Sequence, residues 1–63
     1  MNAKQRRTLE EARSVIEEIA SEERDKRENA PENLYDSERY ENMEASADLL
    51  DEAVQNIEEA LEY

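Results

Sequence analysis

The chain has 63 residues, of which 19 are acidic and 8 basic, giving a formal net charge of −11 with 43% of residues charged. So short a chain has room for one domain with a barely sufficient core, and its charge opposes contact with nucleic acid or anionic membranes while favouring basic partners. Cys, His and Gly are all absent, which excludes disulfides, ordinary zinc sites, thiol nucleophiles and phosphate loops built on glycine backbones.

High charge with few hydrophobes also fits a disordered chain, so periodicity has to decide. In the first half Leu9, Ala12, Ile16 and Ile19 recur at 3-4-3 spacing with Val15 and Ala20 beside them, among good helix formers. This predicts an amphipathic helix over about residues 3–28. Beyond Ala20 the residues are almost all charged, and pairs at helical spacing, Glu22 with Lys26 and Glu23 with Arg27, are expected to support the last turns.

Pro31 cannot continue a helix and pushes Ala30 out of helical geometry, which predicts a loop over 29–36. Within it Leu34 is the one strong hydrophobe and is expected to close the end of the hairpin. Asp36 and Ser37 are both good N-caps for a second helix, and Glu38 suits the positive end of its dipole.

From Tyr40 the apolar positions are Tyr40, Met43, Ala47, Leu50, Val54, Ile57 and Leu61, an unbroken 3-4 alternation over three heptads. A helix over 37–62 follows, and Ala53 and Ala60 beside the seam widen it enough for a second neighbour. The fold predicted for residues 1–63 is therefore all-α, a single two-helix antiparallel hairpin. A register in which paired residue numbers add to about 66 sets Leu9 against Ile57, Ala12 against Val54, Ile16 against Leu50 and Ile19 against Ala47. The same register places Lys4, Arg6 and Arg7 beside Glu58, Glu59 and Glu62.

Carboxylates are abundant, yet acid–base work needs a desolvated pocket that splits their pKa values, and a hairpin supplies none. No catalytic, cofactor-binding or metal-binding residue is expected, and the chain is read as a binding protein without enzymatic activity. The unusual feature is that Tyr40 to Tyr63 contains eight acids and neither Lys nor Arg. One-signed helices repel themselves, so a basic partner surface is the natural complement. Acids one turn apart recur every ~5–6 Å, comparable to phosphates along a nucleic acid strand. The candidate partner-binding residues are Glu41, Glu44, Asp48, Asp51 and Glu52, with Tyr35 and Tyr63 as aromatic anchors outside the seam.

Pro31-Glu32-Asn33-Leu34, then Ser37-Glu38-Arg39, Glu41, Met43 and Glu44 and the Glu-Glu-Ala repeats up to Leu61 resemble a group of small acidic helical-hairpin proteins of phages and mobile elements of Gram-positive bacteria. The resemblance spans about residues 9–63, and an equivalent of Tyr40 is often glycine in that group. It implies a mobile-element setting in the cytoplasm of a bacterial host cell and no assigned enzymatic activity. The function expected is an interaction protein that occupies a basic, nucleic-acid-binding surface of a host protein, in its most concrete form an anti-CRISPR or anti-restriction inhibitor of a defence nuclease. The alternative is a structural or scaffold module in which two hairpins pair as a homodimeric four-helix bundle. No apolar run reaches the length of a membrane span, and no direct binding to nucleic acid or membrane is expected.

Overall fold

In the computed structural model, which describes residues 1–29 and 38–63, the chain forms two helices, α1 (Ala3–Glu28) and α2 (Glu38–Leu61). They pack against each other as an all-α hairpin, and no strand occurs among the described residues. The expectations for the loop fall on Ala30, Pro31, Leu34, Tyr35, Asp36 and Ser37, which lie outside the described residues. Each helix end as described is within one residue of the periodicity estimate, the usual scatter of helix boundaries.

α1 begins at a capping box. Asn2 Oδ1 accepts from the Gln5 backbone N–H at 2.8 Å, and Gln5 Oε1 accepts from the Asn2 backbone N–H at 3.0 Å. Two donors with no partner inside the helix are thereby satisfied. At the other end the Asn29 N–H donates to the Asp25 carbonyl, and Lys26 and Arg27 face the negative end of the dipole. α2 carries Glu38 and Glu41 in its first turn but no base in its last. Arg6 of α1 supplies what that last turn lacks, its Nη1 donating to the Leu61 carbonyl at 2.6 Å.

The numbers of Arg6 and Leu61 add to 67, close to the expected register, and the least exposed positions of both helices step through that sum together. Ala20 and Ala47, each 1% exposed, come to the same level, with Ile16 near Leu50 and Leu9 near Ile57. Ion pairs link residues further apart in level, as in Arg13–Glu58 and Arg27–Glu44. Side chains tilt toward the N-terminus of their own helix, so in an antiparallel pair the tips that meet belong to residues past each other's level.

The seam of α2 lies where its periodicity puts it, but that of α1 is turned by one residue. Arg13 and Ala20 occupy the levels expected for Ala12 and Ile19, while Ala12, Val15 and Ile19 are exposed. Two physical terms favour this rotation. Alanine against alanine lets the helices approach closely, and the turned seam aims Arg13, Arg24 and Arg27 at acids of α2. The arginine stems cover apolar surface in the manner of Met or Leu. The result is a thin core, in which only Ala20, Ala47 and Val54 are buried hydrophobics among the described residues.

The Ala20/Ala47 level generates the first test. Ala47→Leu should overpack the contact at a cost of about 1–3 kcal/mol and lower the thermal midpoint by at least about 4 °C, read by circular dichroism. Ala45→Leu, at an exposed position two residues earlier, should leave the midpoint nearly unchanged. Equal effects at the two positions would place the helix contact elsewhere.

Candidate functional site

With the seam phase known, each helix can be divided into the residues just after the seam and those just before it. In an antiparallel pair the sense of rotation reverses, so residues that follow the seam on both helices share one side of the hairpin, and residues that precede it share the other. Arg24 and Asp51, each following a seam position, do meet: the Arg24 guanidinium donates to the Asp51 carboxylate.

On α2 the positions just after the seam are 41, 44, 48, 51, 55, 58 and 62, and six of these seven are acidic, with Gln55 the exception. This line gathers Glu41, Glu44, Asp48 and Asp51 of the sequence-derived set. It continues through Glu58 and Glu62, which that set omitted although the same 3-4 spacing carries them. Glu52 is exposed on the back of α2. Tyr63 stands at the far end of the opposite side, 89% exposed, so it does not join the acids. Tyr35 lies outside the described residues.

Half of the acidic line is engaged within the hairpin. Glu58 Oε1 is 3.6 Å from Arg13 Nη1, Asp51 accepts from Arg24, and Glu44 Oε1 is 3.7 Å from Arg27 Nη1. Glu41, Asp48 and Glu62 make no ion pair with the described residues and are exposed. The charge pairing expected of Lys4, Arg6 and Arg7 with Glu58, Glu59 and Glu62 gives way, among the described residues, to the Arg6–Leu61 and Arg13–Glu58 contacts. Likewise Lys26 pairs with Glu23 at 3.0 Å instead of Glu22, and Arg27 reaches across to Glu44 instead of back to Glu23. Partly exposed pairs of this kind are worth about 0–1 kcal/mol each, so they orient the helices more than they hold them.

Arg13 is the exception in kind. It occupies a seam position at the level of Val54, and its Nε, 3.9 Å from Glu17 Oε1, is buried with no hydrogen-bond partner. A buried unmet donor costs stability.

The side before the seam has the opposite character. From Met1 to Ile19 and from Ser46 to Tyr63 its twelve positions, five on each helix with Met1 and Tyr63 beyond the helix ends, carry no charged side chain. Val15 and Ile19 on α1 and Leu49 on α2 are its large exposed hydrophobics within the helices, 55%, 43% and 65% accessible, with Met1 and Tyr63 exposed beyond the helix ends. An open groove lined by Met1, Gln5, Thr8, Leu9 and Ala12, with Asn2 and Lys4 also in its wall, runs into this side at the start of α1.

The groove at the start of α1 carries no carboxylate in its lining. No group of three or more His, Cys, Asp or Glu among the described residues is placed to hold a metal ion, and no described helix is long and apolar enough to cross a membrane. Comparison with family models, with curated proteins and with solved structures gives no match to this chain. The hairpin is thus defined chemically by its two unlike sides.

The cost of the buried Arg13 donor can be measured. Arg13→Leu removes it and adds apolar surface at the level of Val54, and an unmet buried donor costs about 1–3 kcal/mol against about 0–1 kcal/mol for the partly exposed Glu58 pair that is lost with it. A higher thermal midpoint is the expected result. A lower one would show that the Glu58 pair outweighs the unmet Nε.

Proposed function

We propose that the hairpin is a binding protein, without catalysis, whose acidic side docks on a basic, nucleic-acid-binding surface of another protein. The observation that carries this is the segregation of charge on α2: six acids fall on one line at 3-4 spacing while the opposite side of the same helix, from Ser46 on, has none. Acidity required only for solubility has no reason to favour one side, with only Glu52 and Glu59 of the eight acids after Tyr40 off the line, since charges spread around a helix repel each other less. A line of carboxylates one turn apart offers a basic groove much of what a phosphate strand offers. The narrowest form of the proposal is an inhibitor of a host defence nuclease, of anti-CRISPR or anti-restriction type, acting in the cytoplasm of a bacterial host. That narrowing rests on the resemblance of the loop and α2 to phage and mobile-element proteins.

The proposal predicts that the chain competes with DNA for purified RNA-guided and restriction nucleases, and that competition fades as salt rises from about 50 to about 200 mM. Neutralising Glu41, Asp48, Glu52 and Glu62 with Gln or Asn leaves the cross-helix ion pairs in place. This variant should keep its helix content yet compete at least about tenfold more weakly. Tyr63→Ala, on the other side, should compete like the parent. If the neutralised variant matches the parent in a mobility-shift assay, the acidic side is not the docking surface.

The scaffold alternative draws support from the uncharged side, where Val15, Ile19 and Leu49 remain open to a neighbour.

A further inference from the structure

We infer that the uncharged side is the seat of a second copy of this chain, and that the protein is a face-to-face pair of hairpins with the acidic sides turned outward. Three observations fix the occupant. First, a side with no charged side chain over twelve positions, in a chain with 43% charged residues and with Lys4 alone among the charged residues lining its groove, offers little to a basic or acidic partner and is complementary to itself. Second, the hairpin alone buries only Ala20, Ala47 and Val54 among its described hydrophobics while leaving Val15, Ile19 and Leu49 in water. Chains of this size commonly complete their core by oligomerising.

Third, charge selects the arrangement. Two chains of net charge −11 repel strongly if their acidic lines approach. Stacking through the uncharged sides puts those lines on the outer surfaces of a four-helix bundle, about 20 Å or more apart by helix diameters, beyond the ~8 Å Debye length at physiological ionic strength.

The area suffices. Seventeen residues of α1, Ala3 to Ile19, rise about 26 Å, and two helices side by side are about 20 Å wide. A footprint on the order of 520 Å² per copy follows, or about 1,000 Å² for the pair, matching the ~1,000 Å² a specific interface requires. The charged residues Glu22, Lys26 and Arg39 mark where this side ends toward the loop. The groove lined by Met1, Gln5, Thr8 and Ala12, with Lys4 also in its wall, falls within the footprint and would receive apolar side chains of the second copy, the Lys4 stem covering them and its ammonium reaching water. The inference deepens the scaffold reading, whose four-helix bundle is this dimer, and holds equally for the inhibitor. A dimer that also competes with DNA for a nuclease supports the inference and removes only the scaffold role.

Sedimentation equilibrium of the full chain over a wide range of concentration should give twice the 7.4 kDa chain mass. Val15→Glu with Leu49→Glu should return the single-chain mass. Because that variant can lose its fold, a conservative pair accompanies it. Val15→Cys lies on the uncharged side and Ser14→Cys on the other, in a chain with no native cysteine. The rate of thiol alkylation should fall by about tenfold or more at Val15→Cys as dimer forms, and should not change at Ser14→Cys. A parent that sediments at the single-chain mass throughout overturns the inference, as does a dimer in which both thiols react alike.

Discussion

Two alanines at one level, Ala20 of α1 and Ala47 of α2, set the distance at which the helices meet. Larger residues there would hold the backbones apart, and the cross-helix reach of Arg6 to the Leu61 carbonyl would be lost with them. Close approach at this level also decides the rotation of α1, because seating Ala20 in the contact leaves Val15 and Ile19 outside it. The thin core, the three arginine–carboxylate contacts and the uncovered apolar residues all follow from that one choice of phase.

The part of this that could be read from the residues is uneven for a physical reason. α2 alternates without interruption from Tyr40 to Leu61, so one helical phase satisfies every apolar position and the hairpin fold follows. α1 has two competing phases. Leu9 and Ile16 belong to both, while Ala12 and Ile19 compete with Arg13 and Ala20 for the remaining levels. Apolar counting favours Ile19, whereas the folded chain favours small size at the contact and long cations beside it, neither of which a hydrophobic pattern registers. The capping box was available in the residues all along, as Asn2 and Gln5 three apart before an amphipathic run.

The candidate site shows the same limit. Choosing Glu41, Glu44, Asp48 and Asp51 required only the charge run, and those four do share one line. Recognising that Glu58 and Glu62 complete it, that Glu52 lies behind it and that Tyr63 belongs to the other side required the seam as a reference. Which acids are occupied depended on arginines of α1, and so on the rotation that periodicity left undecided.

The uneven distribution of charge around α2 has a mechanical consequence. Carboxylates on one long side and none on the other give the rod an electric moment across its short axis, and a slender body spins about its long axis with little resistance. In the field of a cationic surface it would roll until the carboxylates lead, before any contact forms. The trailing side then points away from that surface, toward the second copy, whose own carboxylates are turned outward on the far side.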